Sequence, residues 1–200
     1  MRYLIGIDEA GRGPLAGPVA VGVVMVPFSF DWSLLQGVRD SKQLRPQVRE
    51  RIFWEMRTLE RAGHLCHAVR FSSSVYIDRF GIVAAVSRAL EGALDALRPD
   101  PQDCMVLLDG GLRAPIQFKN QRTIIRGDQS EAVISLASIA AKVTRDKHME
   151  ELALRNPAWG FDVHKGYGTL DHRRIIAREG LSRYHRATFC TRLRVGPKSV

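Results

Sequence analysis

Cysteine is scarce in this chain: three residues among 200, Cys66, Cys104 and Cys190, odd in number and far apart. Neither CxxC nor any other zinc-type spacing occurs, which excludes a disulfide-stapled miniprotein and a zinc ribbon. Three free thiols in a reducing cytoplasm are expected. Long hydrophobic runs are also missing. The longest, Val19 to Phe28, closes on Pro27-Phe28 and is too short to cross a bilayer. The apolar start, Tyr3 to Ile7, runs straight into Asp8 and Glu9, so it does not read as a secretory leader. Internal repeats, low-complexity tracts and lipidation motifs are absent. Acid is in deficit: 21 Asp and Glu face 30 Lys and Arg, a net charge of +9. Such an excess asks for a polyanionic partner, and without membrane features that partner is expected to be nucleic acid.

What is present is the composition of an ordinary globular protein, 45% apolar and 26% charged, and residues 1–200 read as one domain. The charge is uneven. From Asn156 to Val200 there are nine Lys and Arg against three acids, so +6 of the +9 lies in the last quarter. A basic helical part over about 156–189 and a flexible tail over 191–200 are expected.

Tyr3 to Asp8 reads as a buried strand, followed by a tight turn rich in Gly and Pro. Val19 to Val26, β-branched, returns as the second strand of a hairpin. A helix starts at Pro46, with Val48, Ile52, Phe53, Met56 and Leu59 on one face. His64 to Phe71 is a third strand, and Ile82 to Leu97 a helix. Met105 to Leu108 and Thr123 to Ile125 are short strands. Asp128 to Leu154 reads as one long helix with Asp128 as its N-cap in a capping box. Leu170 to Arg178 reads as a basic helix capped by Thr169 and stopped at Gly180. Strands first, then strands alternating with helices, predict an α/β fold with a mixed sheet.

The acids fall at strand ends. Asp8-Glu9 closes one buried strand, Asp109 closes another, and Asp128 follows a third. A buried carboxylate is costly unless it is paired or binds a cation. Converging carboxylates repel, which protonation or a divalent metal relieves. Oxygen ligands without His or Cys select Mg²⁺ or Mn²⁺. Taken singly, Asp109-Gly110 reads as a turn and Asp128 as a cap; together they point to phosphodiester hydrolysis by two ions. Successive strand residues face opposite ways, so for Asp8 and Glu9 to share a site the strand must end or bulge at Glu9. Asp146 pairs with Lys142 at i,i+4. His164, His172 and His185 lack a metal-binding spacing and read as surface or loop residues. Trp32, Trp54 and Trp159 read as core or edge aromatics.

Gly6-Ile7-Asp8-Glu9-Ala10-Gly11-Arg12-Gly13-Pro14-Leu15-Ala16-Gly17-Pro18-Val19 resembles the N-terminal motif of the bacterial ribonuclease HII family, a type 2 RNase H. In the same order follow Asp40-Ser41-Lys42, Leu108-Asp109-Gly110, Gly127-Asp128, Ala137 to Val143, His164 to Thr169, and His185-Arg186 with Phe189. The extra N-terminal domain of the related ribonuclease HIII is not expected. The resemblance implies an RNase H-like fold with a central mixed sheet flanked by helices and a helical C-terminal part. It implies an endoribonuclease that cuts the RNA strand of RNA–DNA hybrids, and single ribonucleotides in duplex DNA, to 5′-phosphate and 3′-hydroxyl ends. Two Mn²⁺ or Mg²⁺ ions would be held by Asp8, Glu9, Asp109 and Asp128. Gly11, Arg12 and Gly13 would read the 2′-hydroxyl, with Tyr167 packed on the neighbouring deoxyribose. Lys42, and less strongly Ser138 and Lys142, would contact phosphate. A cytoplasmic monomer in DNA replication and repair is implied, and the tail 191–200 is a candidate contact for a replication clamp.

Departures from the family pattern are Gln43 in place of a second lysine, Gly81 in place of an Asn, and Leu181 in place of a Pro. Two rival readings remain open. Another nuclease or resolvase of the same fold would share the acids but would have no use for Gly11-Arg12-Gly13 and Tyr167. A non-catalytic basic nucleic-acid-binding protein would share the charge but not need the acids.

Overall fold

A computed structural model describes residues 1–38 and 44–193. Lys42 and residues 194–200 of the tail lie outside the described residues. Five strands form one mixed sheet in the order β3-β2-β1-β4-β5. They are β1 (Tyr3–Ala10), β2 (Val19–Pro27), β3 (Cys66–Ser72), β4 (Cys104–Asp109) and β5 (Gln121–Ile124). β1, β2 and β3 form an antiparallel meander, whereas β4 and β5 run parallel to β1. The strands of the central pair bear apolar residues on both faces, because helices cover both.

One face carries Ile5, Ile7, Val19, Val21, Val23, Val106 and Leu108 against α2 (Ser74–Leu97). The other carries Val24, Val26 and Leu107 against α1 (Pro46–Arg61) and a helix over Ala132–Arg155. Pro46 opens α1 at a position whose N–H has no helical partner to lose. Ser73 caps α2 by accepting the Tyr76 N–H. α2 is two helical pieces joined at Gly81, whose φ of 82° and ψ of 162° lie outside the helical region. The family departure at that position is therefore the joint, and the piece before it, Ser74 to Phe80, extends beyond the helix expected from Ile82.

The long helix expected from Asp128 is likewise divided. α3 (Gly127–Ser130) is one short turn, and Glu131 is extended before α4 (Ala132–Arg155) begins. Asp128 is consequently not an N-cap. It lies within the first turn of α3, where Arg126 is the cap residue, and it is buried with 0% exposure. The capping-box pattern failed because the Glu131 N–H, which Asp128 would have to cap, donates to Gly127 O at 2.8 Å and closes the short turn of α3.

Two further expectations need correction. β1 neither ends nor bulges at Glu9: its pairing with β2 continues in register through Glu9↔Val21 and Ala10↔Ala20. The segment after it is not a tight turn but a long loop, Gly11 to Pro18, which docks on the C-terminal part. There the Leu15 N–H donates to Gly166 O, the Gly17 N–H donates to Tyr184 O, and Ala16 bridges to His185. That part comprises α5 (Phe161–His164), α6 (Leu170–Glu179) and short 3-10 turns, with Phe161, Ala16, Met149, Leu152 and Ala153 as its own apolar cluster. Thr169 caps α6 through the His172 N–H and Gly180 follows its end, as expected. The three cysteines are free.

α4 meets the sheet backbone to backbone. A Cβ on Gly6 would fall 2.2 Å from Val133 O, and one on Gly22 would fall 2.3 Å from Ala137 O. Gly6→Ala should therefore push α4 off β1 and cost about 3 kcal/mol, as overpacked cores do. Urea unfolding measures it; an unchanged midpoint would show that the helix can shift freely.

Candidate active site and its supports

The parallel pairing of β1 with β4 stops at Ile7↔Leu108, so Asp8 and Asp109 emerge together just past the paired region. Asp8 follows Gly6 on the face toward α4, and Glu9 alternates to the other face. Asp8 is 2% exposed. Its Oδ1 accepts the Glu9 N–H at 2.7 Å, while Oδ2 is buried with no hydrogen-bond partner. Burial pushes the Asp8 carboxyl up to about 7; the Ser138 hydroxyl opposes the rise, and the charges of Asp109 and Glu9 add to it. Asp109 Oδ1 accepts the Gly127 N–H at 2.7 Å, which ties β4 to the residue before Asp128. Glu9 Oε1 pairs with Arg12 at 3.2 Å.

The four expected acids thus gather at one end of the sheet. Among the described residues, however, no three Asp, Glu, His or Cys side chains are drawn close enough to form a ready metal cage. The donors are oxygens only, and the Asp8 Oδ2 is a buried acceptor that a hard cation would satisfy, so these residues fit Mg²⁺ or Mn²⁺.

Beside the acids lies the Gly11–Pro18 loop. Arg12 and Gly13 are exposed, and Tyr167 is partly exposed at the loop's edge. Lys142 Nζ lies 5.4 Å from the Tyr167 ring and 2.6 Å from Asp146 Oδ1, the i,i+4 pair expected from spacing. Ser138 is nearly buried beside Asp8, so its hydroxyl serves that carboxylate.

The histidines are not surface residues. His164, His172 and His185 are 8%, 0% and 5% exposed. Their hydrogen bonds assign one neutral tautomer to each ring. The Ser182 N–H donates to His185 Nδ1, leaving His185 Nε2–H to donate to His172 Nε2 at 3.0 Å. His172 Nδ1–H then donates to Tyr167 O at 2.9 Å. His164 stacks on His172 at 3.8 Å between ring centres, accepts from the Gly166 N–H and donates to Trp159 O. Burial lowers His172 and His185 to about 4, each ring's neighbours contributing. The tryptophans match expectation: Trp32 packs on Phe30, Trp159 donates to Gly180 O, and Trp54 is an exposed edge residue beneath Lys147.

Sequence reasoning missed two supports. Arg145 and Arg186 are both fully buried. Arg145 donates to the carbonyls of Pro18, Lys165 and Ala16, and Arg186 to those of Gly17, Arg12 and Gly11. Arg186 had counted as part of the basic flank; it is an internal brace. Burial and the nearby Arg145 charge lower Arg186 to about 10, so it stays charged at neutral pH. For Arg145 a signal existed: it falls four residues after Ala141 and four before Met149, on the buried stripe of α4.

The sequence profile of ribonuclease HII matches residues 5–194. The chain belongs to the ribonuclease HII family. Ribonuclease HII of Geobacter sulfurreducens is 44% identical over 188 residues, 94% of this chain and 82% of that protein. The RNase HII of Archaeoglobus fulgidus, solved as a complex with PCNA, superposes with a TM-score of 0.74 over 98% of both chains at 22% identity, a likeness of fold. Bst-RNase HIII, solved with Mn²⁺, has a TM-score of 0.63 over 96% of this chain and 66% of that one, at 20% identity. The mixed sheet with its helices is accordingly the RNase H-like fold. As a ribonuclease HII the chain is a metal-dependent hydrolase with RNase H activity on RNA–DNA hybrids. Among the described residues no helix is long and apolar enough to cross a membrane.

Two predictions follow from the buried ionisable groups. Burial holds the folded-state pKa of Asp8 at about 7, above the ordinary aspartate value, so its contribution to stability declines as pH rises from about 4 to about 7. Asp8→Asn should therefore stabilise the metal-free protein by about 2–4 kcal/mol at pH 8 and hardly at all at pH 4. Denaturant midpoints at the two pH values test this, and a variant less stable at pH 8 would refute the burial cost. The histidines act with the opposite sign. Their folded-state values are depressed below 6.5, so their stability contribution is complete above that pH and is lost as pH falls toward 4. In an Asp8→Asn background, melting temperature should fall across that window. Imidazole NMR resonances of His172 and His185 should titrate near 4; midpoints near 6.5 would count against the buried, neutral pair.

Proposed function

We propose that this ribonuclease HII cuts the RNA strand of RNA–DNA hybrids and also single ribonucleotides within duplex DNA, on the 5′ side of the ribonucleotide, leaving 5′-phosphate and 3′-hydroxyl ends. The observation that carries the reading is the buried Asp8 carboxylate, with Oδ2 lacking a donor and Asp109 and Glu9 charged beside it. A fold that only bound nucleic acid would have no reason to bear that cost.

Asp8, Glu9, Asp109 and Asp128 are the residues that would hold two divalent ions, Mn²⁺ or Mg²⁺. Bound there, such ions would supply a water activated for attack on the phosphodiester and would stabilise the departing 3′-oxygen. The protein's part is positioning. The Gly127 N–H fixes one oxygen of Asp109, and the Glu9 N–H fixes one of Asp8. Arg12 holds Glu9 at the mouth of the site. RNA differs from DNA at one sugar by its 2′-hydroxyl, and backbone groups of Gly11, Arg12 and Gly13 can approach a sugar closely because no Cβ stands at Gly11 or Gly13. Tyr167, partly exposed and braced by cations on its ring, offers a flat surface to the adjoining deoxyribose. Lys42, Lys142 and the exposed Arg173, Arg174 and Arg178 of α6 would meet phosphates without regard to sequence. Action in the cytoplasm as a monomer, and a clamp contact through the tail, belong to the same proposal.

The test is a duplex carrying one ribonucleotide, incubated with Mn²⁺ or Mg²⁺ beside an all-DNA duplex. Cleavage only at the ribonucleotide is expected, and Asp109→Asn should lower kcat by about 1000-fold or more while leaving the melting temperature within a few degrees. Equal cutting of both duplexes, or full activity in folded Asp109→Asn, would overturn the proposal.

A further inference from the structure

Arg145 and Arg186 carry charge into the interior and meet no carboxylate among the described residues. Their partners are six backbone carbonyls. Burying a guanidinium this way is expensive, and a loop that merely needed fixing could be packed with apolar side chains at less cost. What the guanidinium adds is direction. Its rigid fork of donors fits several carbonyls at once, in one plane, which an ammonium cannot do.

Consider what Arg186 grips. It binds Gly11 O at 2.7 Å, Arg12 O at 2.9 Å and Gly17 O at 3.0 Å. No peptide bond of the described chain is cis. In a trans peptide the N–H points opposite to the C=O. Drawing the carbonyls of Gly11 and Arg12 inward therefore turns the N–H groups of Arg12 and Gly13 outward, at two exposed residues. Neither N–H has an acceptor among the described residues. Arg145 supports the same loop from beneath. A Cβ on Gly11 would lie 2.0 Å from Arg145 Nε, so the loop rests on the guanidinium, and Gly11 takes a φ of +86° to do so. Arg145 also holds Lys165 O and lies with Cζ 5.6 Å from the Tyr167 ring. One side chain thus fixes the separation between the glycine loop and Tyr167.

We propose that Arg186, with Arg145 beneath it, is a positioning residue that aims the N–H groups of Arg12 and Gly13 at the substrate and so sets selection for a ribonucleotide over a deoxyribonucleotide. The inference rests on the reading of Gly11-Arg12-Gly13 and Tyr167 as the 2′-hydroxyl reader. Neither arginine touches substrate. Each acts through the backbone it holds.

The experiment uses the full chain and two duplexes of one sequence, all-DNA or with a single ribonucleotide. In an Asp109→Asn background, which prevents turnover, both dissociation constants are measured for Arg186→Lys and for Tyr167→Ala. Arg186→Lys keeps the charge and should leave the all-DNA constant within about twofold, while preference for the ribonucleotide is lost. With Asp109 restored, its kcat/KM on the single-ribonucleotide duplex should fall about 100-fold, the effect of an ångström-scale misplacement. Preference lost in Tyr167→Ala but retained in folded Arg186→Lys overturns the positioning role alone. Preference retained in both overturns the 2′-hydroxyl reading beneath it. Should Arg186→Lys not fold, the Asp109→Asn protein decides: its Arg12 and Gly13 N–H resonances must shift more with the ribonucleotide duplex than with all-DNA. Equal shifts refute the proposal.

Discussion

Helix α4 meets β1 and β2 backbone to backbone at Gly6 and Gly22, and that close approach governs the geometry of the acid end. Gly6 and Gly22 leave their Cβ positions to backbone atoms of Val133 and Ala137. The helix cannot slide or lift without a clash, so its register on the sheet is fixed. Two residues beyond Gly6 on the same face, Asp8 meets Ser138 of α4. Two turns further along, Arg145 reaches under Gly11. The acid end and the glycine loop are thus located by one rigid contact, although they serve different steps.

Asp8 and the guanidiniums of Arg145 and Arg186 are buried at this end of the molecule, and among the described residues neither arginine pairs with a carboxylate. Asp8 and Asp109 accept backbone N–H groups, and Arg145 and Arg186 donate to backbone carbonyls. Peptide dipoles stabilise both signs without neutralising either. Direct acid–guanidinium pairing would be cheaper in stability, but it would quench the carboxylates. Keeping the buried arginines on carbonyls leaves Asp8 without a guanidinium partner, while an acid–guanidinium pair at this end, Arg12 with Glu9, lies at the surface. The lowered stability expected from Asp8 is the counterpart of that missing partner.

Much of this was legible in the residues. Buried and β-branched apolar runs marked the strands, Thr169 and Gly180 bounded α6, and strand-end acids pointed to the candidate site. The failures share a cause: local rules were overruled by partners distant in sequence. Asp128-Gln129-Ser130-Glu131 has the form of a capping box, but the Glu131 N–H goes to Gly127 O, Gly127 is tied to Asp109 on β4, and the helix breaks at Glu131. β1 was expected to bend at Glu9, yet pairing with β2 keeps it straight to Ala10. His164, His172 and His185 looked exposed because each was weighed alone, whereas their stack exists only once the loop around Tyr167 has folded over Phe161.

The net charge of +9 also means something narrower than a count suggests. Arg145 and Arg186 face inward, Lys142 is engaged by Asp146, and Lys165 by Glu150. Arg174 and Arg178 remain exposed on α6, though each has an acid within reach. These placements leave the net charge as it is but decide where it is presented, and its attraction for a polyanion falls off with salt in the usual way. Discrimination is assigned to groups without net charge, namely loop amides and a tyrosine ring. On the proposed reading, charge brings any duplex to the surface and geometry held by two buried arginines decides which sugar is accepted, so docking and selection can vary independently.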